Sequence, residues 1–223
     1  MPRQPFPGLI TALEPQAKSR RHLGTRVNVF VNGRFSFALD VDLVSRHDLR
    51  PGVEIDATLL SELLREDGDA RAYARALHFM GYRARSSKEV RDRLARDAWP
   101  EEVITRVLER LAQENLLDDA TFAATWVENR SLSKPRGTRA LRQELRQKGV
   151  AREEIEAALP DAEQEIENAV AAAQARLRRW ASLDERERRT KIIEFLQRRG
   201  FNYSTAKAAV NRLEEEAEDA NAQ

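Results

Sequence analysis

Apolar positions recur along this chain at a spacing of 51 residues. Val90, Leu141 and Ile192 lie 51 apart, as do Leu94, Leu145 and Leu196; Ala98, Gly149 and Gly200; Trp99, Val150 and Phe201; and Leu108, Leu159 and Val210. Each copy reads apolar, three residues, Leu, three residues, small, apolar, then an apolar position nine further on. So long a period cannot be one helix. It predicts a supersecondary unit copied about three times, and stacked units bury shared faces and present a long binding surface rather than a catalytic pocket.

From residue 69 onward the pattern is helical. Copy one predicts helices near 69–81, 86–97 and 101–115; copy two 119–132, 137–148 and 152–159; copy three 163–182, 185–199 and 203–218. The middle helix of each copy sets its two apolar anchors four apart, on one face. Gly149 and Gly200 stand where a left-handed C′ residue is wanted, and Val150 and Phe201 can fold back onto the last turn as in a Schellman stop. Ala98 departs from that rule, so copy one either carries strain there or ends its helix differently. Pro100 reads as a first helical residue, followed by Glu101 and Glu102, and Asp118 and Asp119 read as N-caps. The acidic tail, 214–223, is expected to fray.

Before residue 69 the period changes to two. Arg26-Val-Asn-Val-Phe-Val31, Asn32-Gly33 and Arg34-Phe-Ser-Phe-Ala-Leu39 form a hairpin signal, because Asn-Gly accepts the positive φ of a type I′ turn. A regular two-residue loop pairs Phe30 with Phe35 and Asn28 with Phe37, and places Phe30, Phe35, Phe37 and Leu39 on one inward face. Residues 8–13 supply a third strand, and the basic Lys18-Ser-Arg-Arg-His22 an exposed loop. Residues 48–52 end a short helical turn, and a further helix starts near Asp56, with Gly68 as a candidate break.

Composition supports helices without pointing to chemistry. Charged residues are 34% and aromatic residues 6% of the chain, so its cores must be mainly aliphatic. The chain has no cysteine, which excludes disulfides and thiolate sites. It has no apolar run of the ~20 residues a membrane helix needs, nor a signal-peptide layout, so a cytoplasmic protein is expected. His22, His47 and His78 lack metal-ligand spacing. The carboxylate pairs Asp40/Asp42 and Asp118/Asp119 lack a phosphate-cradling glycine loop, and capping explains them better than Mg²⁺ does. Trp99, Trp126 and Trp180 read as packing residues rather than base-stacking ones. Neither an enzyme nor a cofactor is expected.

The net charge of +1 is uninformative, but its distribution is not. Seven basic residues lie between Arg130 and Lys148 (Arg130, Lys134, Arg136, Arg139, Arg142, Arg146, Lys148) against the single acid Glu144. Six lie between Arg83 and Arg96 (Arg83, Arg85, Lys88, Arg91, Arg93, Arg96) against Glu89 and Asp92. Arg139, Arg142 and Arg146 form one stripe on the middle helix of copy two, and Lys88 and Arg91 are the repeat-mates of Arg139 and Arg142. In copy three those positions are Thr190 and Ile193, so the stripe stops. A solvated surface with ordinary ion pairs is the plain explanation; a polyanion track, or a groove meeting an acidic protein, accounts better for the repetition of basic residues on one face.

Three ordered segments also resemble a known family. Tyr82-Arg-Ala-Arg-Ser-Ser-Lys-Glu-Val-Arg-Asp-Arg-Leu94 is similar to the R-x-R-S-x-x-E-L segment of the RecX regulatory proteins. Leu116-Leu-Asp-Asp-Ala-Thr-Phe-Ala123 is similar to their L-x-D-x-x-F-A segment, and residues 137–150 to their G-x-x-x-[IL]-x-x-E-L-x-x-K-G-[IV] segment. The resemblance covers residues 69–160 in order and spacing, 161–215 more loosely, and 1–60 as the β-rich extension of longer members. Departures are Val90 for Leu, Ala98 for Gly and the weaker basic face of copy three. The resemblance implies a partner in the RecA recombinase and its filament on single-stranded DNA, restraint of its ATPase and strand exchange, and in some members direct DNA binding. By position it implies that Lys88, Arg91, Arg139, Arg142, Arg146 and Lys148 face the filament or its DNA. Arg83 and Arg85 match the first segment, and Arg136 belongs to the same basic cluster. Glu89 and Glu144 match in motif but are not repeat-mates, and pairing with nearby arginines is expected of them.

The expected architecture is therefore mainly α: tandem three-helix repeats (69–117, 118–160, 161–223) in an elongated curved array, preceded by a small antiparallel β-region with a linking helix (1–68). The expected function is a non-enzymatic regulator lying along the RecA nucleoprotein filament, with single-stranded DNA, and secondarily double-stranded DNA, as nucleic-acid partners. No metal, cofactor, membrane or small-molecule substrate is expected. The alternative is a stand-alone nucleic-acid-binding helical module; an enzyme housed around Asp42 in the β-region is a distant third.

Overall fold

The computed structural model describes residues 4–16 and 26–221, and the basic stretch Lys18-Ser-Arg-Arg-His22 lies outside them. The chain is mainly helical, with a small N-terminal antiparallel sheet. It divides into two compact units: one comprises the residues up to 83 with 90–114, the other residues 84–89 with those from 115 on.

In the first unit β1 (Gly8–Pro15), β2 (Arg26–Val31), β3 (Arg34–Asp40) and β4 (Glu54–Ile55) form an antiparallel sheet in the order β3-β2-β1-β4. Asn32 and Gly33 take φ of 49° and 75°, the turn that the Asn-Gly pair predicts. Phe30 pairs with Phe35, but the register then shifts: Val29 pairs with Phe37 and Asn28 with Ala38, leaving Ser36 as an extra residue on β3. The expected Asn28–Phe37 pair is therefore absent. A bulge of this kind reverses which side chains face in. Phe37 and Leu39 are buried with Val27, Val29 and Val31, while Phe35 is exposed. Ser36 is buried as well, where its hydroxyl accepts from the Phe6 N–H and donates to the Phe6 carbonyl.

After β3, α1 (Val41–Arg46) starts under an Asp40 cap. The next helix, α2 (Ala57–Met80), runs 24 residues, so Gly68 does not break it. Its neighbour Asp67 fixes the helix to the sheet: Arg26 holds the buried Asp67 carboxylate through two bonds of 2.9 and 3.1 Å, and the Asp40 N–H donates to the same group. That anchorage outweighs the roughly 1 kcal/mol a helical glycine costs. Next come α3 (Ser87–Arg96), whose first turn belongs to the second unit, and α4 (Glu101–Gln113), for which Pro100 is the N-cap rather than the first helical residue.

The second unit holds α5 (Asp119–Ser133), α6 (Thr138–Gln147), α7 (Arg152–Ala158), α8 (Ala162–Gln174), α9 (Glu185–Arg198) and α10 (Tyr203–Asn221). One core gathers Phe122, Leu141, Leu145, Val150 and Ile155; another gathers Ile192, Leu196, Phe201 and Val210 with the alanine-rich face of α8. The helix expected over 163–182 ends at Gln174, and the chain continues through a 3-10 turn, Leu177–Trp180. That turn lets Leu177 and Trp180 pack on the second core, Trp180 edge-on to Phe195.

The 51-residue echo has a backbone counterpart. Ala98, Gly149 and Gly200 all have positive φ, 62°, 80° and 90°. In each copy the next residue, Trp99, Val150 or Phe201, donates its N–H to the second anchor leucine, Leu94, Leu145 or Leu196, at 3.1–3.2 Å. The small residue itself donates to the carbonyl three back, at 2.9–3.0 Å. These are the two bonds of a Schellman stop, formed three times. Copy one thus ends as the others do, with an L-residue in the left-handed region.

Candidate functional site

The middle helices α3 and α6 carry the basic residues, and their starts are held in one way. Ser86 Oγ donates to the Lys148 carbonyl (2.6 Å), and 51 residues on the Gly137 N–H donates to the Arg199 carbonyl (3.1 Å). A carboxylate of the following first helix then caps each start: Asp119 accepts from Ser87 N–H and Glu165 from Thr138 N–H, both at 2.8 Å. Asp118 caps α5, as expected, while Asp119 reaches across to α3. Glu165 gave no sequence signal, since its partner lies 27 residues away. These bonds satisfy helix N–H groups that would otherwise lack partners.

On α6 the stripe divides. Arg139 and Arg146 are exposed, with no ion pair among the described residues. Arg142 between them grips Glu156 of α7 with Nε and one terminal nitrogen, at 2.7 and 2.9 Å. That bond is the main cause holding the Glu156 carboxyl below its ordinary value; the charges of Arg142, Arg152 and Arg146 add to it. Arg136 and Arg130 both bind Glu144 (2.8 and 2.9 Å), and the Trp126 indole N–H donates to the same carboxylate at 2.8 Å. Arg130 and Lys148 also lie over the Trp126 ring, 4.9 and 5.1 Å from its centre, so this tryptophan packs among cations. Lys148 pairs with Glu89 at 2.6 Å. Glu144 is paired with nearby arginines, as expected, whereas the partner that Glu89 meets here is a lysine 59 residues away in sequence.

On α3, Arg91 pairs with Glu101, and the exposed Lys88 lays its stem where a Cβ on Gly149 would sit. Arg83 is exposed and Arg85 half-buried. Burial, then the charges of Arg176 and Arg136, push the Arg199 guanidinium below its ordinary value, which makes Arg136, Arg176 and Arg199 a second concentration of positive charge.

Such an arrangement can bind oxyanions. Elsewhere His47 meets Glu66 at 3.1 Å, and His78 packs edge-on against Tyr82. Asp40 and Asp42 line an open cleft of about 420 Å³ with Arg46, Glu66, Asp69 and Arg110; Asp40 is occupied as a helix cap and Asp69 is held by Arg106. Among the described residues, no group of three or more His, Cys, Asp or Glu is placed to hold a metal, and no helix is long and apolar enough to cross a membrane.

Four family models match in order. They are the RecX regulatory protein N-terminal domain at residues 8–56 and the first, second and third three-helix domains of RecX at 72–111, 118–159 and 163–210. The regulatory protein RecX of Bacillus licheniformis is 32% identical over 196 residues, covering 87% of this chain and 74% of its own length. That of Levilactobacillus brevis is 34% identical over 200 residues, covering 89% and 73%. A crystal structure of regulatory protein RecX superposes with a TM-score of 0.70 at 28% identity, over 90% of this chain and 97% of that one. RecX from Lactobacillus salivarius shares the fold, with a TM-score of 0.62 at 24% identity over 67% and 98%. With its N-terminal region and all three of its three-helix copies matched in order by one set of relatives, the chain belongs to the RecX family of regulatory proteins.

Proposed function

We propose that the protein is a non-enzymatic regulator of the RecA recombinase, acting in the cytoplasm on the nucleoprotein filament and lowering its ATPase and strand-exchange activity. The observation that carries this reading is the ordered match of all three three-helix domains to a family of regulators. The basic face fits it. In this reading Arg139 and Arg146 make the first contacts, and Arg83, Arg85, Lys88, Arg91, Arg136, Arg142 and Lys148 extend the surface toward the filament or its single-stranded DNA. The modules 1–68, 69–117, 118–160 and 161–223 would each contribute modest contacts, and linked contacts gain avidity without any one being tight. Double-stranded DNA is a secondary partner on the same electrostatic ground, and affinity for either falls with salt as counterions are released.

The test is single-stranded-DNA-dependent ATP hydrolysis by the cognate recombinase, with this protein titrated in well below one per subunit. Suppression at low ratio is expected. No effect at equal ratio would remove the regulator reading. Arg139 and Arg146, exposed and without an ion pair among the described residues, would then favour the second reading, a stand-alone nucleic-acid-binding module.

A further inference from the structure

The fifth residue of the middle helix is an arginine in two copies, Arg91 in α3 and Arg142 in α6, and both are held by an acid of the third helix. The acids, Glu101 and Glu156, are not repeat-mates, so the pairing recurs although the positions differ. In copy three the arginine is Ile193. At α6 the arrangement is the more complete. Glu156 is exposed, accepts two bonds from Arg142, and feels the charges of Arg146 and Arg152 beside it; both of these are exposed, with no ion pair among the described residues. One carboxylate thus sits among three arginines.

A planar guanidinium binds a carboxylate and a phosphate with the same two-pronged geometry. We propose that the Glu156 carboxylate occupies a phosphate-binding position of its own protein, from which a nucleic-acid phosphodiester displaces it to be taken by Arg142, with Arg146 and Arg152 alongside. This rests on the basic face of α6 meeting a polyanion, as in the function above. Arg152, on α7, is thereby added to the binding set. An exposed ion pair is weak enough to be exchanged, yet every exchange must first break it. Glu156 therefore lowers the affinity for scattered phosphates and favours partners that engage Arg139 and Arg146 at the same time.

The experiment is fluorescence anisotropy of the full chain with a labelled oligothymidylate, across a salt series. Glu156→Gln keeps the shape of the side chain and removes its charge; Glu153→Gln, on the same helix and exposed, controls for the loss of any nearby negative charge. Glu156→Gln is expected to bind about three- to fivefold tighter than the parent, since exposed pairs are worth up to about that factor. Its salt slope is expected to match the parent's, because after displacement Arg142 makes the same phosphate contact in both. Glu153→Gln is expected to change affinity less than twofold. In the Arg142→Gln background, Glu156→Gln is expected to bring no gain.

An equal gain from Glu153→Gln, or a gain that survives loss of Arg142, overturns the displacement. So does failure of parent and Glu156→Gln alike to bind the oligonucleotide at low salt. Failure to suppress recombinase ATPase alone would remove the regulator reading and leave this comparison standing.

Discussion

The helix-stop position offers one structural site with three contexts. Ala98, Gly149 and Gly200 share the left-handed backbone and the same pair of hydrogen bonds, but their surroundings differ. Ala98 is exposed. A Cβ on Gly149 would meet Lys88 Cβ at 2.5 Å and Cδ at 2.6 Å, and one on Gly200 would meet Ala140 Cβ at 2.4 Å and its backbone nitrogen at 2.7 Å. Ala98→Gly should relieve the roughly 1–2 kcal/mol of left-handed strain. It gives back about 0.4–1 kcal/mol in unfolded-chain entropy, for a net stabilisation of about 0.5–1 kcal/mol. Gly149→Ala adds that strain and must move the Lys88 stem, costing about 2–4 kcal/mol in all. Gly200→Ala confronts the backbone of α6, which cannot step aside, and should cost more than about 3 kcal/mol. Urea unfolding followed by tryptophan emission separates the cases, because Trp99 lies in the first unit and Trp126 and Trp180 in the second. With a slope of about 2 kcal/mol per molar, Ala98→Gly should raise the first transition by about 0.25–0.5 M, while the two Gly→Ala changes lower the second. A destabilised Ala98→Gly, or a Gly200→Ala as mild as an ordinary left-handed alanine, would refute the assignment of strain at one site and steric contact at the other.

Three further outcomes are expected. Glu144→Ala removes the shared acceptor of Arg130, Arg136 and the Trp126 indole, and should cost about 1–2 kcal/mol and shift tryptophan emission, read by fluorescence and thermal melting. Arg139→Glu with Arg146→Glu should change the melting temperature little, because neither side chain is ion-paired among the described residues, while weakening oligonucleotide binding at least tenfold at low salt in an anisotropy titration. The Asp118 carboxyl is held below its ordinary value, first by the Thr121 hydroxyl and then by the Ala120 N–H. A depressed carboxyl stabilises the fold above the ordinary carboxylate range and loses that contribution as pH falls through the folded value. Helix content measured by circular dichroism should therefore fall on acidification below about pH 4, and less steeply in Asp118→Asn, whose cap does not titrate.

The sequence carried the repeat because the repeat is local. An anchor pair four apart and a small residue four further on encode a helix face and its stop within about a dozen residues, so Leu145, Gly149 and Val150 are legible in one dimension. The hairpin turn was legible for the same reason, but its register was not: the extra Ser36 is set by the Phe6 backbone, 30 residues away. Gly68 reads as a candidate break because propensity counts only the helix itself, and Asp67 answers to Arg26, 41 residues off.

The candidate site follows the same division. The count and spacing of basic residues on α6 are properties of the sequence, and they placed Arg139, Arg142 and Arg146 on one stripe. Which of them is available is a tertiary matter, because Glu156, Glu144, Glu89 and Glu101 reach partners on other elements, contacts that no periodicity encodes. The departure at Ala98 divides along the same line. Its left-handed conformation is a local requirement met at some cost. Its tolerance of a Cβ, where Gly149 and Gly200 have none to spare, depends on what packs against each helix end, and only the folded chain decides that.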